Sequence, residues 1–101
     1  MPVTQVLTIT KPGASFETIG DLFEDLNSIV DSDYFTYIQT ALIEGTIINS
    51  VSFTENSNTA TLTRTWDDAK YEDFQTNWAA VREANGNAVT SAGWILSGDS
   101  I

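Results

Sequence analysis

Arg64 stands where an apolar residue belongs. In TATLTRTW, residues 59–66, polar and apolar side chains alternate as a half-buried strand requires, and Ala60, Leu62 and Trp66 define the face that Arg64 interrupts. A guanidinium is a rigid fork of N–H donors suited to a carboxylate or other anion, and burying one unpaired costs several kcal/mol. Two arrangements satisfy it. In the first, Arg64 bonds a carboxylate such as Asp67 or Asp68, or helix-end carbonyls, with its stem along Trp66. In the second, Arg64 and Asn49 point into a pocket under the helices, where Trp66, Trp78 and Phe53 enclose a small aromatic or anionic ligand.

Other chemistry falls away by subtraction. The chain has no histidine and no cysteine, so it has no Ser-His-Asp or Cys-His triad, no thiolate and no imidazole metal ligand. Asp31-Ser32-Asp33 starts like a calcium loop, but Phe35 and Thr36 occupy the places of the next oxygen ligand and the glycine. It reads as a helix cap, as does Asp67-Asp68. No glycine-rich phosphate loop and no Gly-x-Ser-x-Gly elbow is present. No metal or cofactor is expected, and no catalytic residue can be assigned. Catalysis would have to use carboxylates, Tyr, Lys, Arg or the substrate's own reactivity.

Fourteen acidic against four basic side chains give a net charge of −10 over 101 residues. This excess, spread along the chain, should repel nucleic acid and anionic membranes. The N-terminal stretch lacks a charged start and an apolar run, and no window is long and apolar enough to cross a bilayer. The expectation is one cytoplasmic domain spanning residues 1–101.

The elements that must position Arg64 follow from periodicity. Val3 to Thr10 reads as a strand with Val3, Leu7 and Ile9 on one face, interrupted by Gln5. Ser15 is placed to cap a helix whose apolar stripe runs from Phe16 to Val30. A second helix follows from about Asp33 to Glu44 and ends at Gly45. Ile47 to Thr54 alternates again, and Glu55-Asn56-Ser57-Asn58 is turn chemistry between two strands. A hairpin centred between Asn56 and Ser57 sets Phe53 against Ala60, Val51 against Leu62, Asn49 against Arg64 and Ile47 against Trp66. The misfits Asn49 and Arg64 thus face one another. A helix capped by Asp67 or Asp68 then presents Tyr71, Phe74, Trp78 and Val81 inward and closes at Asn85-Gly86, before a last strand near residues 92–97.

This order predicts an α+β, ferredoxin-like βαββαβ domain: a four-stranded antiparallel sheet, helices on one face, and an extra helix after the first. The first and third strands are then neighbours, which brings Gln5 toward Arg64 and Asn49. The opposite sheet face carries Thr4, Thr8, Thr10, Ser50, Ser52, Thr54, Thr61, Thr63 and Thr65, with Val6 and Ile48 between them.

ALIEGTIINSVSF followed by TATLTRTWDDAKYEDFQ resembles the dimeric ferredoxin-like superfamily that includes the antibiotic biosynthesis monooxygenases. The shared features are a glycine before the second strand, the hairpin, and a third strand ending in an aromatic residue where a helix begins. The resemblance implies a homodimer joined through the open sheet faces, a pocket between sheet and helices built from Asn, Trp and Arg, and no cofactor. It puts Asn49, Arg64, Trp66 and Trp78 at pocket positions. Relatives that degrade haem bind its iron through histidine, which this chain lacks. Two functions remain in view: a small binding or interaction module, and a cofactor-independent monooxygenase-like or isomerase-like enzyme acting on a small aromatic substrate.

Overall fold

A computed structural model describes residues 3–98. Four strands, β1 (Val3–Thr10), β2 (Ile47–Phe53), β3 (Thr59–Trp66) and β4 (Ile95–Gly98), form one antiparallel sheet in the order β2-β3-β1-β4. Four helices complete it: α1 (Ile19–Asn27) and α2 (Ser32–Glu44) between β1 and β2, α3 (Asp68–Asn77) and α4 (Ala79–Ser91) between β3 and β4. Among the described residues no helix is long and apolar enough to cross a membrane.

The hairpin takes the register expected from its turn, with Phe53 opposite Ala60, Val51 opposite Leu62, Asn49 opposite Arg64 and Ile47 opposite Trp66. On the other side of β3, Gln5 of β1 pairs with Arg64 and Leu7 with Leu62. The helix-facing side of the sheet is therefore banded. The apolar row Ile47–Trp66–Val3 is followed by the polar row Asn49–Arg64–Gln5, and then by Val51–Leu62–Leu7 and Phe53–Ala60–Ile9. Because strand side chains alternate, one register fixes every member of each band.

The first helix begins later than its apolar stripe suggests. Thr18 caps α1 by accepting the Asp21 N–H at 3.2 Å, and Ser15 does not cap it. Residues 11–16 instead run beside the β2–β3 turn. Lys11 and Phe16 donate their backbone N–H groups to the carbonyls of Asn58 and Ser57, and the Ser15 hydroxyl donates to the Asn56 carbonyl. Those bonds hold the segment, which turns at Pro12-Gly13, against the hairpin, while Phe16 still reaches the core by stacking on Trp94 at 5.9 Å.

Asp31 caps α2 through the Tyr34 N–H, and Gly45, at φ 78°, ends it in the left-handed conformation. Asp67 caps α3. The expected single helix after β3 is in fact two, broken at Trp78, and Asn85-Gly86 lies inside α4 rather than at its end. Asn85 is 4 % exposed, and its side-chain oxygen accepts the Asp31 N–H at 2.9 Å. That tertiary bond ties α4 to the start of α2 and outweighs the weak local preference of Asn-Gly for ending a helix. The last strand starts at Ile95, later than expected. Gly98, at φ 102°, closes it where a Cβ would collide with the Val6 carbonyl.

The core forms two clusters. Leu7, Ile9, Leu22, Leu26, Val89 and Trp94 pack at one end of the sheet, Tyr34, Ile38, Ala41, Ile47, Trp66 and Phe74 at the other. Leu62 is buried yet belongs to neither. The seam between the clusters is where the polar row emerges.

Candidate functional site

A half-open cavity of about 230 Å³ occupies that seam. Its floor is the sheet, where Ile9, Leu62 and Val51 lie beside Arg64 and Asn49. Phe23, Leu26 and Asn27 of α1 form one wall, with Val30 beyond the helix end; Tyr34, Phe35, Ile38, Gln39 and Leu42 of α2 form the other. Phe35, Gln39 and Val51 are exposed, so the mouth lies between α2 and the edge strand β2. Apolar helix side chains gain nothing by covering a row of amide and guanidinium groups, and the packing parts where that row comes up.

Arg64 is 7 % exposed and is the one buried member of the chain's four basic residues. Its Nε donates to Asn49 Oδ1 at 3.2 Å, and its guanidinium carbon lies 5.8 Å from the centre of the Trp66 ring. Among the described residues no carboxylate pairs with it and its two η nitrogens have no hydrogen-bond partner. Asp67, one of the partners considered from the sequence, is occupied in capping α3. The other cations are engaged elsewhere: Lys11 pairs with Asp25 at 2.6 Å, Lys70 lies over the Tyr37 ring at 4.3 Å, and Arg82 bonds Gln75.

Of the six residues singled out from the sequence, Asn49 and Arg64 line the cavity. Gln5 and Trp66 lie behind that wall. The Trp66 indole N–H donates to Gln5 Oε1 at 2.8 Å, which fixes the ring beside Arg64, and Trp66 stacks on Phe74 at 4.3 Å. Gln5 thereby positions Trp66 rather than facing the cavity. Phe53 packs with the cluster around Leu7 and Trp94, and Trp78 packs against Tyr34 and Tyr37.

Tyr34 is the cavity residue that sequence reasoning passed over. It sits in the apolar stripe of α2, where one hydroxyl among hydrocarbon side chains carries no distinguishing pattern. In the structure it lines the cavity at 5 % exposure, and its hydroxyl is buried without a hydrogen-bond partner. Such an orphaned polar atom costs about 1–3 kcal/mol and calls for an explanation.

Beside this site α2 and α3 are joined by the Tyr37 hydroxyl, which donates to Asp73 Oδ2 at 2.6 Å, while Asn77 donates to the other oxygen. Burial, reinforced by the Asp73 hydrogen bond and charge, pushes the Tyr37 phenol above its ordinary value of 10.0. The bonds from Tyr37 and then Asn77 hold the Asp73 carboxyl below its ordinary 3.8. The lowered carboxyl stabilises the fold above pH about 4 and loses that contribution as pH falls through its folded value. The raised phenol contributes below pH about 10 and loses that contribution as pH climbs through its own. Melting curves of Tyr37→Phe should therefore parallel the wild type between these limits and lose part of its acid and alkaline dependence outside them. Identical dependence at both extremes would show that the pair does not couple to folding.

No protein-family model matches the chain, and no curated protein or solved structure matches it. Among the described residues no cluster of acidic side chains is placed to hold a metal ion. What the site presents is hydrocarbon, three amides, a phenol and a guanidinium.

Proposed function

We propose that this protein is a small-ligand-binding module of ferredoxin-like architecture, taking its ligand in the cavity between the sheet and the helix pair α1/α2. One observation carries the reading: a buried arginine with no carboxylate partner among the described residues lines a cavity open to solvent. Fold stability alone does not favour such a residue, whereas recognition of an anionic or hydrogen-bonding ligand does. The size agrees. A cavity of about 230 Å³ lies between the roughly 150 Å³ that holds benzene and the roughly 300 Å³ at which drug-sized sites begin.

Strand order β2-β3-β1-β4 with a helical crossover on each side of the hairpin supports the ferredoxin-like assignment. The resemblance to the antibiotic biosynthesis monooxygenase superfamily agrees with the cavity's place and with Asn49 and Arg64 in its wall. Binding is favoured over the enzyme alternative because, among the described residues, the lining has no carboxylate or other group suited to act as a base near neutral pH.

A homodimer formed through the open sheet face belongs to the same proposal. Val6, Ile48 and Ile95 are 45, 65 and 57 % exposed there, among threonines that bond across strands, Thr8 to Thr61 and Thr10 to Thr59. The outward positions of all four strands carry no charged side chain, although the chain's net charge is −10. It is the surface on which two such acidic molecules meet with least repulsion.

Thermal scans against a panel of small aromatic and anionic compounds, for the wild type and Val51→Trp, test the reading. Val51 is 40 % exposed at the mouth, so tryptophan obstructs it without crowding the core. At 100 times Kd a ligand stabilises by about 2.7 kcal/mol, a rise of roughly 10–20 °C for a domain of this size. The rise is expected for the wild type and not for Val51→Trp. Equal shifts in both would put binding outside the cavity. Light scattering at micromolar concentration should give twice the 11.0 kDa of one chain, and a monomer mass would remove the dimer.

A further inference from the structure

We propose that the free edge of β2 takes an extended segment of a partner protein as a fifth strand, a segment with basic residues at its ends and an aromatic side chain that enters the cavity. The strand pairing is independent of the cavity reading, and the position of the aromatic side chain rests on it. β2 is paired on one side only, since the sheet order ends with it. An edge strand leaves the N–H and C=O of every second residue without a partner in the sheet, and native proteins blunt such edges with charge, proline or a bulge. β2 has none of these. Its sequence IINSVSF contains no charged residue and no proline, and its register against β3 runs without a bulge from Ile47 to Phe53. The cover over it is also incomplete. In the helix-facing row Val51–Leu62–Leu7 the two inner residues are 4 and 5 % exposed, whereas Val51 is 40 % exposed. Phe35 of α2, 36 % exposed, lines the same cavity.

One extended segment answers the bare edge, the uncovered apolar side chains and the cavity together, where a small molecule leaves the edge unpaired. Its backbone bonds β2, its alternate side chains cover Val51 and Phe35, and one of them fills the cavity. Volume and chemistry select that side chain. The cavity of about 230 Å³ exceeds the roughly 150 Å³ that holds benzene, and a ring suits both its hydrocarbon wall and the one cation in it, Arg64. Charge selects the rest of the segment. Glu44 and Glu55, both exposed, stand just beyond the two ends of β2, and the strand between them is uncharged. Cations at both ends of the segment meet them, in the field of a chain with a net charge of −10. A second copy of β2 meets the opposite condition. Antiparallel pairing of two such strands about Ser50 brings a Glu44 and a Glu55 together at each end, and charged residues flanking an apolar strand act against self-pairing.

The test titrates the full-length protein with the acetylated and amidated peptide Lys-Thr-Val-Thr-Phe-Thr-Val-Thr-Lys, read by backbone amide NMR and hydrogen exchange. The β2 amides not bonded to β3 are expected to gain at least about tenfold protection at saturation, a change that binding elsewhere does not produce. Replacing both lysines by glutamate should weaken binding about tenfold, and Glu44→Gln combined with Glu55→Gln about threefold. Alanine in place of the peptide's phenylalanine should weaken it about tenfold. Val51→Lys sets an inward-pointing charge at an exposed edge position, and should abolish binding with the fold retained. A titration that leaves the β2 amides unprotected would overturn the strand addition. Protection already present before peptide is added, and lost on dilution, would give the edge to a second copy and overturn the partner segment. A glutamate-ended peptide that binds as tightly would overturn the basic ends, and an alanine peptide that binds as tightly would overturn the aromatic anchor. A small compound that raises the melting temperature of the wild type while the peptide fails to bind would overturn this inference and leave the cavity a ligand site.

Discussion

Trp66→Ala should lower the melting temperature by roughly 15–30 °C. Trp66 is fully buried, its ring stacks on Phe74, it meets Tyr71 edge-on at 6.0 Å, and its indole N–H donates to Gln5. Truncating a buried tryptophan costs about 3–5 kcal/mol, because the transfer energy of the ring is lost and its place collapses only in part. Each kcal/mol is worth about 4–8 °C in a domain of this size. Gln5, itself buried, loses that donor at the same time. Trp66→Phe separates the contributions. It keeps an aromatic ring against Phe74 and gives up the indole hydrogen bond, so about a third of the loss is expected. A fall of under 5 °C for the alanine variant would mean that the cluster around Tyr34, Ile38 and Phe74 holds together without its largest member, against the packing described above. The consequence reaches the cavity, since Trp66 is the surface beside which the Arg64 guanidinium is set.

How far the chain could be read before its structure was known depended on whether a feature was local or shared between distant segments. The hairpin register was legible, because turn residues and alternation on both sides of Asn56-Ser57 admit one pairing that sets apolar against apolar. With it came the facing of Asn49 and Arg64. The caps at Asp31 and Asp67 were legible for the same reason, since a side chain that bonds an N–H three residues on is a short-range device. The start of α1 was not, because Phe16 belongs by periodicity to the helix and by hydrogen bonding to the turn at Ser57. The persistence of α4 through Asn85-Gly86 likewise depends on the Asn85 bond to Asp31, fifty-four residues away. A cavity is harder still. It depends on how two clusters of unequal side chains fail to meet, and periodicity reports which side chains face inward without reporting whether they touch. Tyr34 stayed hidden on that account, whereas Arg64 drew notice by breaking a pattern. Trp78 and Phe53 followed the pattern and were placed near the site for being large and aromatic, a property that the core uses as readily as a ligand does.

Arg64→Leu is expected to leave the protein as stable as the wild type or to raise its melting temperature by about 5–10 °C, while abolishing the ligand-dependent rise. The sign follows from what Arg64 gains and loses in the fold. Its gains are one hydrogen bond to an amide and a ring 5.8 Å from its centre, interactions worth about 1–2 kcal/mol together. Against them stands the desolvation of a cation that is 7 % exposed with no carboxylate partner among the described residues. That cost is moderated where the η nitrogens reach a cavity roomy enough for water. Leucine removes both sides of the balance and adds apolar burial between Trp66 and Leu62. Asn49, which is only half-buried on an edge strand, recovers its lost bond from solvent. Replacing buried ionic groups by hydrocarbon is commonly neutral or stabilising by about 1–4 kcal/mol, and the lower part of that range gives the rise stated. With a ligand from the panel of small aromatic and anionic compounds bound, the order should reverse, the wild type gaining stability that the leucine variant does not. A protein that keeps a destabilising cation at a cavity wall and recovers its cost only with ligand bound has that cation for binding. Were Arg64→Leu instead to lose about 3 kcal/mol without ligand, the guanidinium would be holding β2 to β3, and the cavity would be a packing defect beside a structural residue.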